Sequence, residues 1–385
     1  MNRKQFILLL VLVVVVGAAG LLVRERSSNS WKSATAAIGQ KLLPNLAVND
    51  IAQITIKSGA GELNLVRRDN RWRVRERGDY PANFSQISEL LIKLADLKIA
   101  QSEEIGPSQL GRLELQPPGA GANSGTQLEF KDQAGKTLDS LLLGKKHMKK
   151  PVGNSQPGGM GDEGWPDGRY VMAGAGAKTV AVISDPLDSA QPKPEEWLDK
   201  DFLSIEKPRT IAVQFSEPTN SWKLSRASET NDWQLADAKA DEKIDSSKIS
   251  SVTSAFSSPS FNDVTALNTS STASNSVVTV ETFDGFTYIA RIAPRQDDNY
   301  PVSFSVAASL ATERPAAKDE KAEDKAGLDK EFKGRQSKLT EKLAKEKQFE
   351  NWVYQVPAYS VDEILKPRQQ LLTETKTNAP AGEEK

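Results

Sequence analysis

A short strand-like unit occurs twice in this chain, and that repetition constrains the fold more than any other feature. The first copy reads RDNRWRV, Arg68 to Val74, and the second SETNDWQL, Ser228 to Leu235. In each, a lone Trp follows a polar turn and precedes an alternating stretch. The flanks match as well. ITIKSG places Ile54 and Ile56 on one face, ELNLVRR places Leu63 and Leu65 on one face, and RWRV adds Trp72 and Val74. Period-two alternation broken by SGAGE and RDN turns predicts three short antiparallel strands. NFSQISELLIKLADLKIA then changes period: Ile87, Leu90, Leu91 and Leu94 fall at helical spacing, with Asn83 or Ser85 able to cap the start.

The second half follows the same order. TIAVQF offers Ile211 and Val213, SWKLSR offers Trp222 and Leu224, and DWQL offers Trp233 and Leu235. A helix with Ile249, Val252 and Phe256 repeats the spacing of Ile87, Leu90 and Leu94. TQLEFKDQAGKTL and VVTVETFDGFTYIARI both read as strand pairs about tight turns, at Ala134-Gly135 and Asp284-Gly285. GRYVMAGAGAKTVAVI is matched to NWVYQVPAYSVDEIL, each an aromatic-bearing strand, a turn and a second apolar run. Trp72 and Trp233 are expected as inward-facing core residues, since buried Trp is an ordinary anchor.

The expected fold is therefore α+β, with two tandem similar halves, each an antiparallel β meander with a packed helix. The halves are placed at residues 46–205 and 206–366. Two insertions are expected at equivalent places in the two copies. The first is a Gly/Pro-rich loop at 145–168. The second is a charged stretch at 313–350, whose Leu328, Phe332, Leu339 and Leu343 form a narrow apolar stripe. That stripe predicts an amphipathic helix, which either folds back on the body or serves as a candidate partner-binding face. Residues 367–385 are expected to form a disordered tail.

Ahead of the first half, MNRK precedes an uncharged apolar run from Phe6 to Val23. At 1.5 Å rise per residue this helix would span about 27 Å, close to the ~30 Å hydrocarbon core of a bilayer. A signal peptide with small residues Gly17 and Ala19 at its cleavage site also fits. The apolar run continues through Leu21, Leu22 and Val23, which favours an uncleaved anchor. Arg3 and Lys4 before the segment are nearly balanced by Arg24 and Arg26 after it. A short leading tail before a large polar body favours a cytoplasmic N-terminus and an external body. Residues 24–45, rich in Ser, Ala and Asn, read as a stalk.

Composition narrows the chemistry. Lys+Arg 50 against Asp+Glu 51 leaves a net charge of -1, so no global field favours nucleic acid. With no Cys, thiolate catalysis, thiolate zinc sites, disulfides and a lipoprotein anchor are excluded. A single His, His147, leaves little material for a His-rich metal site or a His-based triad. AGAGAKT, Ala173 to Thr179, lacks the phosphate-loop spacing and lies between strand-like runs, so a hairpin turn is expected. The acidic cluster in PKPEEWLDKDF (Glu195, Glu196, Asp199 and Asp201) reads as the polar face of a docking turn, although a paired-carboxylate site stays open. KKHMKK is the densest basic run. Its Lys145, Lys146, Lys149 and Lys150 are candidates to meet phospholipid headgroups, against the plainer reading of a solvated loop. No cofactor is expected.

Four stretches together resemble a bacterial envelope family known as domain of unknown function 4340. They are LVRRDNRWRV, its helix ISELLIKLADLKI, the linker WLDKDFLSIEKPRTIAVQF and the second unit SWKLSRASETNDWQL, taken with the N-terminal apolar segment. The resemblance covers nearly the whole body and carries no catalytic residues with it. It implies an accessory component associated with gliding-motility-type ABC export. The expectation is then a single-pass, inner-membrane-anchored, non-enzymatic periplasmic subunit, held through residues 6–23 and partnered with ABC permease and ATPase subunits. A periplasmic binding or scaffold protein for cell-wall or surface polymer is the alternative, and a carboxylate-dependent envelope hydrolase a third.

Overall fold

The computed structural model describes residues 38–149, 165–174, 179–240, 242–255, 257–267, 274–314 and 322–373, without the side chains of residues 103, 104, 322 and 323. The candidate membrane segment 6–23 lies outside them. Among the described residues no helix is long and apolar enough to cross a membrane. The chain divides into two units after Asp199.

The first unit begins with the alternating runs read from the sequence: β1 (Gln53–Ser58), β2 (Gly61–Arg68) and β3 (Arg71–Val74), followed by the short β4 (Tyr80–Pro81). Their inward residues Ile54, Ile56, Leu63, Leu65 and Val74 are fully buried, and Trp72 nearly so. Each such side chain contributes about 1.5–3 kcal/mol by leaving water. Helix α1 (Phe84–Asp96) buries Ile87, Leu90, Leu91 and Leu94. Asn83 caps it by accepting from the Gln86 N–H at 3.1 Å. After α1 the chain forms β5 (Ile99–Glu104), β6 (Thr126–Lys131), β7 (Thr137–Lys149), β8 (Trp165–Ala173) and β9 (Thr179–Ile183). The nine strands lie in the order β4-β3-β2-β1-β6-β7-β8-β9-β5. The strand after the helix therefore sits at the edge far from the opening meander.

The second unit has β10 (Pro208–Phe215), β11 (Trp222–Ser225), β12 (Gln234–Leu235), helix α2 (Ser246–Ser254) and β13 (Asp263–Ala266). It continues with β14 (Ser276–Thr282), β15 (Phe286–Ile292), β16 (Asn299–Ala308), helix α3 (Ala322–Glu346), β17 (Trp352–Pro357) and helix α4 (Ala358–Ile364). Its order, β12-β11-β10-β14-β15-β16-β17-β13, is that of the first unit without a counterpart of β4. All pairings in both sheets are antiparallel. Ile249 and Val252 are buried on α2, and Asp245 caps it through the Ser247 and Lys248 amides. Phe256 is outside the described residues. Phe202 enters an aromatic cluster, its ring 4.4 to 5.4 Å from those of Tyr354, Phe261, Phe349 and Phe304.

Several expectations are corrected. Trp233 is not an inward strand residue like Trp72. It precedes the two-residue β12, is half-buried, and lies under the Arg226 guanidinium at 4.7 Å. Trp222, 4% exposed on β11, is the buried Trp of that meander. The two insertions are also not equivalent. Residues 150–164 separate β7 from β8, whereas α3 separates β16 from β17. By strand order β8 corresponds to β16 and β9 to β17, so the matching of GRYVMAGAGAKTVAVI to NWVYQVPAYSVDEIL was displaced by one strand. A long charged insertion hid β16's connection to β17. The body is also longer than expected at both ends. Leu42 and Leu43 are buried, so the stalk does not reach residue 45, and Leu371 is fully buried within the stretch read as tail. The segment 175–178 of AGAGAKT is outside the described residues, but its flanks β8 and β9 pair antiparallel as expected of a hairpin.

Candidate functional site

On the first unit, β7 does not stop at the aliphatic LLLG but runs on through the basic KKHMK. The Gly/Pro-rich loop read at 145–168 is thus strand at both ends: Lys146 pairs with Arg169, His147 with Gly168 and Lys149 with Trp165. Two register shifts explain why the alternation could not be followed. One lies between Leu143 and Lys146, the other between His147 and Met148. Lys150 is outside the described residues.

The first shift occurs where the 3-10 segment Pro107–Leu113 crosses β7. Gly144 makes the crossing possible. A Cβ there would stand 2.3 Å from the Leu113 carbonyl oxygen and 2.7 Å from Leu115 Cδ2. The close approach forms one wall of an open cleft of about 650 Å³. Arg112, Lys145, Lys146 and His147 supply its cationic and polar lining, and Ile105, Leu113, Met148 and Tyr170 its apolar surface.

Charge in this cleft is unevenly neutralised. His147 Nδ1 lies 2.6 Å from Asp167 Oδ1, and the imidazole meets the Tyr170 ring edge-on at 5.7 Å. Lys146 Nζ pairs with Asp188 at 2.6 Å. Arg169 is held by backbone, donating from Nε to the Gly144 carbonyl at 2.8 Å and from a terminal nitrogen to that of Pro186 at 3.1 Å. Burial lowers its pKa, partly offset by the Asp188 and Glu114 carboxylates. Arg112 donates to the Gln109 side chain at 3.3 Å. Among the described residues neither Arg112 nor Lys145 has a carboxylate partner. The arrangement can attract and hydrogen-bond an anion. Arg112 escaped the sequence reading because the crossing at Gly144 brings it to the cleft, and Met148 and Tyr170 because the pairing of β7 with β8 sets them on neighbouring strands.

On the second unit, the charged insertion is helical as expected. Its covered positions, Asp329, Phe332, Gln336, Leu339, Lys342, Leu343 and Glu346, fall at helical spacing and share one face. Leu328, one turn before Phe332 on the same face, is 39% exposed. The foot of the helix is fastened by a polar cluster. Glu346, 3% exposed, accepts from the Tyr288 hydroxyl at 2.8 Å and from the Ser204 amide at 3.3 Å. Lys342 donates to the Ser204 carbonyl at 2.6 Å and stands 3.9 Å from Glu346. Burial pushes the Glu346 carboxyl up, while the Tyr288 hydrogen bond and the Lys342 charge oppose the shift. Burial, then the Glu346 charge, pushes the Tyr288 phenol well above its ordinary range. Arg314 anchors the helix nearer its start through Asp329 at 3.0 Å.

The acidic cluster of PKPEEWLDKDF is dispersed into separate pairs. Glu195 faces Arg77 at 3.6 Å, Glu196 faces Lys193 at 2.9 Å, and Asp201 faces Lys345 at 2.5 Å. Trp197 and Leu198 beside them are fully buried. Among the described residues no group of three His, Asp or Glu side chains is placed to hold a metal ion.

A family model described as a domain of unknown function (DUF4340) matches residues 159–277. The match takes in β8 and β9 of the first unit and β10 to β13 of the second. It contains WLDKDFLSIEKPRTIAVQF and SWKLSRASETNDWQL but not the Trp72 meander or α1, so it is narrower than the nearly whole-body resemblance expected. A comparison with curated proteins finds no match.

Proposed function

We propose that this chain is a membrane-anchored, non-enzymatic accessory subunit of an ABC-type transport complex, its body outside the inner membrane. The observation that carries the reading is the apolar run Phe6–Val23 followed by a body of two sheets with one strand order. Such a body offers binding surface rather than a reacting constellation, and its acidic side chains near Trp197 are taken up in ion pairs. The transport context itself rests on the family resemblance. The shared strand order further supports an origin of the two units by duplication. The partner surface in this reading is α3, with Leu328 exposed and Phe332, Leu339 and Leu343 half-covered along one face.

The test is affinity capture of the full chain from membranes in mild detergent, with the bound proteins identified. ABC permease and ATPase subunits should be recovered with it. Recovery of cell-wall or surface polymer without them would favour a polymer-binding scaffold, a reading that the cationic cleft of the first unit also supports.

A further inference from the structure

We propose that the cleft of the first unit binds a phosphate-bearing ligand, with the phosphate held by Arg112 and Lys145 and the rest of the ligand lying against Met148 and Tyr170. The proposal stands on the cleft and does not depend on the transport reading.

Arg112 precedes Leu113, and Lys145 follows Gly144. These are the two backbones that the missing Cβ brings into contact. The fold thus spends a close backbone crossing on setting two cations along one cleft. Like charges in a shared cleft repel, and among the described residues no carboxylate pairs with either. The neighbouring acids Asp167 and Asp188 are already engaged by His147 and Lys146. The Glu114 carboxylate acts on Arg169. An anion bound by both cations offsets the repulsion.

Phosphate suits the pair better than a carboxylate does. A planar guanidinium and a mobile ammonium can engage different oxygens of a tetrahedral anion, where a carboxylate offers two in one plane. A volume of about 650 Å³ is far more than a phosphate ion fills. The rest of the wall includes apolar and aromatic surface, with Met148 41% exposed. The ligand therefore carries a further moiety able to lie on Met148 and Tyr170. A glycerophospholipid headgroup and a soluble phosphoester share this chemistry.

The test reads the amine acylation rate of Lys145 by mass spectrometry in the full chain. One arm uses maltoside micelles with and without sn-glycerol 3-phosphate. The other uses nanodiscs of phosphatidylcholine with and without phosphatidylglycerol. Protection of Lys145 in the first arm assigns a soluble phosphoester, and protection confined to the second assigns a lipid headgroup. In either case Arg112→Gln should raise the half-protecting concentration about tenfold, the loss of one charge-assisted contact. Arg112→Lys should recover most of it, which a merely unfolded variant would not. The proposal is overturned if Lys145 reacts at the same rate in every condition. It is equally overturned if Arg112→Gln leaves protection unchanged, or if Lys57, which does not line the cleft, is protected to the same extent.

Discussion

The contrast between Trp222 and Trp233 gives the sharpest stability test of this fold. Trp222 is 4% exposed on β11 and its indole N–H donates to the Lys366 carbonyl at 2.8 Å. Truncation to Ala removes a buried indole and leaves a cavity, a loss of about 3–5 kcal/mol. The unpartnered Lys366 carbonyl moves the expectation toward the upper end of that range. Trp233 is half-buried, and its main partner is the Arg226 guanidinium at 4.7 Å. That pair is worth about 0.5–1 kcal/mol, and partial burial adds a similar amount, so Trp233→Ala should cost about 1–2 kcal/mol. Arg226 should stay in place, since it also donates to the Pro208 and Glu229 carbonyls, both at 2.8 Å. The assay is urea unfolding of the full chain, read by hydrogen exchange at amides of β10 and β14 so that the first unit does not obscure the transition. Equal losses for the two variants would refute the placement of Trp233 outside the core.

Three further outcomes follow from the geometry. Gly144→Ala should cost about 1–3 kcal/mol, because the new Cβ must push the Leu113 carbonyl away. Faster hydrogen exchange of the Leu115 and Gly125 amides, which bond to Leu110 and Gln116, would locate the damage at the cleft wall. For Tyr288, the folded pKa lies above the ordinary 10.0, so its contribution to stability is fully present below about pH 10 and is lost as pH rises from there toward the folded value. Alkaline denaturation should therefore be shallower in Tyr288→Phe, and an unchanged slope would contradict the buried phenol. Replacing Leu339 and Leu343 together by Ser should leave both sheets folded, by circular dichroism, while lowering recovery of partner subunits. Loss of stability with undiminished recovery would make the stripe internal packing.

The meanders were legible because inward residues alternate within each strand, Ile54 with Ile56, Leu63 with Leu65, Trp72 with Val74, Ile211 with Val213 and Trp222 with Leu224. Helix α1 was legible for the same reason at a different period, with Asn83 marking its start. Legibility failed where local pattern and tertiary contact diverge. The Trp233 dipeptide context imitates that of Trp72, but β12 is only two residues long and pairs only Leu235 and Gln234. The basic end of β7 looked like loop because its bulges break alternation and its lysines show no apolar face. The cleft needed knowledge of the 107–113 crossing, which rests on an absent Cβ at Gly144. The buried Glu346 carried no sequence signal, since it stands in a helix where every second or third residue is charged.

The proposed function makes this chain one subunit of a membrane transport assembly. Native mass spectrometry of the full chain, released from membranes in mild detergent, tests it most directly. The expected result is a species whose mass includes this chain together with permease and ATPase subunits, and which shifts when the ATPase is removed by dissociation. Recovery of the chain solely by itself or as copies of itself, from membranes in which the transporter subunits are intact, would contradict it.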